Sequence, residues 1–200
     1  MLSPIRFLWI WLACLLGFAA VVIGVNLLVD PYDVFGTPRI AGISALKPAA
    51  KNHAMLAKTY QVARAHPVTV LIGSSSVHIG IDASDPAWPE AMRPVYNYGI
   101  PGTLTSTSLE TLREAIAVGK VKNAIVSLDF QNFLVRESPG GVSEEARRFH
   151  LTSDGISNPH RLRQTGSDMF FAAFTMGSLI DSVFTVMEQG RPHGRTKAHH

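Results

Sequence analysis

The chain has 200 residues, 46% hydrophobic and 16% charged, with a net charge of +3. That length bounds one domain plus an anchor, and the low charge fraction signals a segment withdrawn from water. The basic residues are scattered, and the densest groups, Arg147-Arg148 and Arg191 to Lys197, lack interleaved aromatic residues, so no nucleic-acid partner is expected. One cysteine, Cys14, excludes an intrachain disulfide, and the eight histidines show no HExxH or paired ligand spacing. Neither a metal nor another cofactor is expected.

Residues 1–6 read as a cytoplasmic N-terminus and 7–29 as a transmembrane signal anchor. Phe7 to Val29 is apolar and uncharged, and at 1.5 Å per residue such a helix crosses about 30 Å of hydrocarbon. Arg6 precedes the run, and Asp30 and Asp33 follow it. The basic side stays in the cytoplasm, which places the remainder outside a plasma (inner) membrane, in the periplasm. A cleaved signal peptide has a shorter apolar core of about 7–15 residues, and the small-x-small triplet Gly17-Phe18-Ala19 has a long apolar stretch behind it. Cys14 likewise sits too deep in the run for a lipoprotein site.

Residues 30–66 read as a membrane-exit segment and helix. Asp30 to Lys47 is rich in turn formers, Pro48 suits a first helical position, and Ala49 to Ala65 forms a helix stopped by Pro67. The α/β domain is assigned to 67–190 and a flexible tail to 191–200. Val68 to Ile72 is a short, β-branched apolar run, expected as a strand buried on both faces. Val95 to Tyr98 is a second strand. Thr107-Ser108-Leu109-Glu110 matches a capping box, opening a helix with Leu109, Leu112 and Ile116 on one face. Ala124 to Leu128 is the third strand. The alternation predicts a doubly wound parallel α/β sheet preceded by one transmembrane helix. Met169 to Met187 is broken by Ser178, Asp181 and Ser182 and is expected as a buried amphipathic helix rather than a second span.

In doubly wound sheets ligands bind beyond the carboxyl ends of the strands. Three polar segments, 73–76, 97–103 and 129–132, are expected at that rim. A strand-to-helix turn lifts a serine hydroxyl clear of the sheet and aims backbone N–H groups at a developing oxyanion, which points to Ser75 as a nucleophile. Gly73-Ser74-Ser75-Ser76 equally fits an ordinary flexible turn or a phosphate-binding loop. No GxGxxG or GxxxxGK[ST] accompanies it.

Leu71-Ile72-Gly73-Ser74-Ser75-Ser76-Val77, Tyr96-Asn97-Tyr98-Gly99-Ile100-Pro101-Gly102-Thr103 and the strand ending Leu128-Asp129-Phe130 resemble the SGNH (GDSL-like) hydrolases. They are most similar to a membrane-anchored branch whose first block reads Gly-Ser-Ser, laid out like D-alanine transfer and polysaccharide O-acetylation proteins. Asp30-Pro31-Tyr32 after the anchor resembles that branch too. The resemblance implies a three-layer, flavodoxin-like fold. It implies an esterase or acyltransferase acting on envelope polysaccharide or its acyl donor. Ser75 would be the nucleophile, and Gly102, with Gln131 or Asn132, would supply oxyanion donors. Asn97 reads as a loop support. The family's Asp-x-x-His base motif has no counterpart here, so the chain reads as cut short before that block or as degenerate. His78 lies too close along the same turn, His150 and His160 read as surface residues, and His199 and His200 lie at the end of the chain. The alternative is a non-catalytic envelope protein of the same shape that binds polysaccharide or a synthase partner.

Overall fold

The computed structural model describes residues 3–134, 150–151 and 157–190. The expected tail at 191–200 and most of the polar stretch after Gly140 lie outside them. The chain divides into two compact units, one formed by the residues up to Asn52 with the segment from Thr165 through the last helix, the other by His53 to Gln164.

The first unit begins with helix α1, Pro4–Val29, which is long and apolar enough to cross a membrane. Pro4 occupies the first turn, where its missing N–H costs nothing, and Asp30 ends the helix in a left-handed conformation (φ 48°). The N-terminal half of α1 is exposed all round. In its last turns Val22, Asn26 and Val29 form a buried stripe at helical spacing.

The exit from α1 is a buried ionic knot. One Asp30 oxygen accepts from the N–H groups of Val34 (2.9 Å) and Phe35 (3.3 Å), the other from Gly36 (2.9 Å) and Thr37 (3.3 Å). Lys47 Nζ lies 3.1 Å from Asp30 and 3.5 Å from Asp33, and Arg39 reaches Asp33 from the more exposed side. The Asp-Pro-Tyr segment is thus a folded turn wrapped around its own carboxylate.

The stretch from Met169 to Met187 departs from the sequence expectation. It lies in two helices, α6 (Arg161–Phe174) and α7 (Met176–Glu188), bent by 57°. Thr175 makes the break: its hydroxyl donates to Phe171 O (2.9 Å) and accepts from Ser178 N–H (3.2 Å), capping α7. The amphipathic pattern is also turned over. The fully buried residues of α7 are Ser178, Ser182 and Thr185, and they face inward within this unit. Asn26 joins the helices, its Nδ2 donating to Ala173 O (2.9 Å) and its Oδ1 accepting from Ser182 Oγ (2.9 Å). Tyr32 donates to Asp181 (2.6 Å) and stacks on Phe171 at 5.5 Å. Burial, then the Asp181 carboxylate, pushes the Tyr32 phenol well above its ordinary range.

The single expected helix is replaced by α2 (Ala49–Asn52), which ends the first segment of the first unit, and α3 (Ala54–Ala65), which opens the second unit, with the break at His53. Strands β1 (Thr69–Ile72), β2 (Val95–Asn97) and β3 (Asn123–Val126) form a parallel sheet in the order β2-β1-β3. Thr69 pairs with Val95 on one side and Asn123 on the other. All four β1 residues are buried, as a run apolar on both faces demands. Helix α4 (Ser75–Gly80) follows β1, and α5 (Thr105–Ala117) follows β2. Val62 of α3 and Ala115 of α5 close on Val70, Ile72, Tyr98 and Ile100 to form the core.

Helix α5 starts three residues earlier than the capping box suggests. Leu104 occupies the cap position without a side-chain bond, and Thr107 is inside the helix and buried. Leu109 and Ile116 are exposed; of the expected apolar face only Leu112 reaches the core. The buried face carries Glu114, which accepts from the backbone N–H of His150 (2.6 Å) and Leu151 (3.1 Å) and lies 3.1 Å from His150 Nδ1. His150 is therefore a half-buried partner of α5 rather than a surface residue, whereas His160 is exposed as expected.

Lys58 of α3 is 9% exposed. Its Nζ donates to Asn97 O at 2.6 Å and stands 5.9 Å from the Tyr96 ring centroid. Burial lowers its pKa to about 8, from 10.5 in the unfolded chain. Below pH 8 the fold carries the cost of a buried ammonium, about 3 kcal/mol at 1.36 kcal/mol per pKa unit. As pH rises from 8 to 10.5 the unfolded state binds more protons than the folded one, and that stability returns. Urea unfolding of wild type and Lys58→Met at pH 7 and pH 10.5 checks this: the wild type should gain on the variant by about 3 kcal/mol between the two pH values.

Candidate functional site

The strand order reverses at β1, since the chain passes from β1 to β2 on one side and then crosses to β3 on the other. A crevice opens where the chain leaves the carboxyl ends of strands that diverge this way. All three expected segments come to this rim, held by backbone bonds that prolong the sheet: Tyr98 N–H to Leu71 O (2.8 Å), Ile100 N–H to Gly73 O (2.9 Å) and Ser127 N–H to Ile72 O (2.8 Å).

Two glycines permit the close approach. A Cβ on Gly73 would lie 2.5 Å from Val77 Cγ2 and 3.1 Å from Ser127 Cβ. A Cβ on Gly99 would lie 2.6 Å from the backbone nitrogen of His78. Asn97 locks the same junction. Its Nδ2 donates to Val77 O (2.8 Å) and Ile81 O (2.9 Å), the last carbonyls of α4, and its Oδ1 accepts from Gly99 N–H (2.9 Å). The supporting role expected of Asn97 is the one its contacts describe.

Ser74 is the N-cap residue of α4, and Ser75 is the first helical residue. Ser75 is exposed, and its hydroxyl makes no hydrogen bond among the described residues. Its neighbours are engaged: Ser74 Oγ and Ser76 Oγ both donate to the Asp129 carboxylate, the latter at 3.0 Å. The sequence marks Asp129 only as the residue ending a strand block. Its position as an acid immediately past an apolar strand, on the rim shared with the serines, was the available signal. Asp129 accepts from the hydroxyls on either side of Ser75, so it holds the serine turn against the exit of β3.

Gly102 lies in the turn after Ile100 with φ 76°, exposed, with open space where a Cβ would stand. Gln131 and Asn132 lie in a 3-10 turn, Phe130–Phe133, that begins one residue after Asp129; their side chains lie outside the description. The backbone thus carries both segments past the serine turn. The rim is apolar beyond the serines, with Ile79, Phe130, Phe133 and Leu134 exposed.

No imidazole bonds Ser75 among the described residues. His78 sits on α4 itself, its N–H donating to Ser74 O (3.1 Å). His150 is held by Glu114, nine residues along α5 from Thr105, which is about 14 Å from the rim end of that helix. No group of three or more His, Cys, Asp or Glu residues that could hold a metal ion occurs among the described residues. Two open hollows border the connection between α4 and β2, one beside Asp85, Glu90 and Arg93, the other beside Asp82 and Trp88; no residue of the serine turn lines either.

These features define an α/β protein with a three-stranded parallel sheet, a serine turn at its carboxyl rim and an N-terminal apolar helix of membrane-spanning length. The chain matches no protein-family model, no curated protein and no solved structure.

Proposed function

We propose that the protein is a membrane-anchored, extracytoplasmic esterase or acyltransferase of SGNH type. Ser75 accepts an acyl group and passes it to water or to a hydroxyl of envelope polysaccharide. The observation that carries this reading is the convergence of 73–76, 97–102 and 129–132 on one rim, with Ser75 the one serine of the three whose hydroxyl is not engaged among the described residues. The N–H groups of Ser75 and Gly102, with Gln131 or Asn132, would stabilise the oxyanion. The order β2-β1-β3 is how a doubly wound, three-layer sheet of the flavodoxin kind begins, and the reading takes the domain to be part of one. Anchorage by α1 would hold the rim near membrane-delivered acyl donors, on the periplasmic side by the charge rule. The proposal needs neither metal nor other cofactor.

A fluorophosphonate probe tests the chemistry in the full chain in detergent micelles. Labelling is expected at Ser75 by peptide mapping and is expected to disappear in Ser75→Ala while persisting in Ser76→Ala. An unlabelled, folded wild-type chain would favour the second reading, a polysaccharide- or synthase-binding protein. The lack of an imidazole on Ser75 among the described residues speaks for that reading.

A further inference from the structure

The pair α6–α7 is built inside out. In α7 the exposed side chains are Met176, Ile180, Val183, Phe184, Val186 and Met187, joined only by Gly177, and no polar side chain is among them. The inward positions are Ser178, Ser182 and Thr185. From Met169 to the end of α6 the exposed residues are likewise all apolar, aromatic ones above all. A helix folded in water puts its hydroxyls outward and its apolar stripe inward; this one does the reverse.

The inward face is polar, and its two serines are satisfied, while Thr185 Oγ1 is buried without a partner among the described residues. Ser178 Oγ donates to Ala172 O, and Ser182 Oγ donates to Asn26, whose amide in turn reaches Ala173 O. Small, hydrogen-bonded residues between closely packed helices are the contact expected where lipid surrounds them, because hydrocarbon offers polar groups no other partner. The one acid in the middle of α7, Asp181, turns away from the apolar face and accepts from Tyr32. The partner helix is α1, itself long and apolar enough to span a bilayer, and the contact lies in its last turns, from Val22 to Val29.

We infer that the exposed apolar face of α6–α7 is covered by lipid acyl chains. The bent pair enters the leaflet beside the last turns of α1 without crossing it, because Arg161, Arg163 and Ser167 stand exposed in the first half of α6 and α7 alone spans only about 20 Å. The occupant is lipid rather than a protein partner because this face continues the apolar surface of α1 within one unit, and because its polar groups are turned inward. The membrane attachment is then a helix and a bent helix pair, which orients the chain more firmly than one span would. The inference rests on α1 lying in a bilayer and is independent of the chemistry proposed for Ser75.

The test uses the full chain with Cys14→Ser and single cysteines carrying an environment-sensitive fluorophore, reconstituted in phosphatidylcholine vesicles. Phe184→Cys and Met187→Cys report on the bent pair, Leu16→Cys on the anchor and Ala91→Cys on water. Labels at 184 and 187 are expected to follow 16: strong quenching by doxyl-labelled lipid, and iodide quenching several-fold weaker than at 91. Iodide quenching at 184 and 187 equal to that at 91, with 16 still quenched by lipid, would overturn the lipid contact of the pair alone. Loss of lipid quenching at 16 as well would overturn the anchor and the pair's lipid contact together. Protection from both quenchers with crosslinking between copies would assign the face to a second copy and also overturn the inference. Two positions on α7 guard against a local folding defect at either.

Discussion

Asp30→Ala is expected to remove about 3–5 kcal/mol from the first unit, the largest effect of any single substitution considered. The carboxylate is fully buried, accepts from four consecutive backbone N–H groups and pairs with a Lys47 side chain that is itself 3% exposed. Truncation leaves a buried ammonium facing Asp33 alone at 3.5 Å and strips the Val34–Thr37 turn of its acceptor. Thermal unfolding in detergent micelles, followed by circular dichroism, should show a fall on the order of 10 °C. Adding Lys47→Met should restore part of the loss by removing the orphaned charge, but not all of it, since the backbone donors stay unpaired. Full recovery in the double variant would mean that the ion pair, and not the wrapped turn, is what Asp30 supplies.

Gly99→Ala is expected to cost about 1–3 kcal/mol, at the upper end because the obstacle is backbone. The new methyl would stand 2.6 Å from His78 N and 3.0 Å from both His78 Cα and Asn97 Oδ1. No rotamer change relieves a contact with main chain. Relief requires β2 and α4 to separate, which pulls on the Asn97 bonds to Val77 O and Ile81 O. Gly80→Ala, in open space at the end of α4, is the matched control and should be neutral or slightly stabilising. Denaturant unfolding of the two variants side by side checks the difference; equal stabilities would show that the rim tolerates separation of its segments.

Much of this architecture is readable from local pattern. The N-terminal helix of membrane-spanning length follows from an uninterrupted apolar run. The three strands follow from short β-branched runs bounded by turn formers, with ends that differ from the structure by a residue or two. The serine turn follows from a glycine directly after the first such run. Each of these signals is carried by residues adjacent in the chain, so periodicity and composition suffice.

The misreadings have a common origin in partners distant along the chain. Leu109 and Ile116 look like a core face, yet α5 turns Glu114 inward because backbone N–H groups from His150 and Leu151 arrive to satisfy it. Nothing near Glu114 announces that. Met169 to Met187 looks like one water-soluble helix because its serines and its aspartate break the apolar run. In the structure Ser182 and Asp181 are engaged by Asn26 and Tyr32, more than a hundred residues earlier in the chain, and Ser178 bonds Ala172 O across the bend. Asp129 is unremarkable as a residue and acquires its role only when the parallel pairing of β1 and β3 sets it beside Ser74 and Ser76.

By itself, then, the sequence determined the elements whose driving force is local: an apolar helix long enough for a bilayer, a parallel α/β core and a serine-bearing turn after its first strand. Only the tertiary structure decided which side of α5 and α7 faces inward, which of three adjacent serines keeps an unengaged hydroxyl, and that a carboxylate flanks it. Hydrophobic periodicity marks a stripe but carries no sign: whether the stripe or its opposite face is buried depends on which distant groups satisfy the polar side, and on whether water or hydrocarbon lies beyond it.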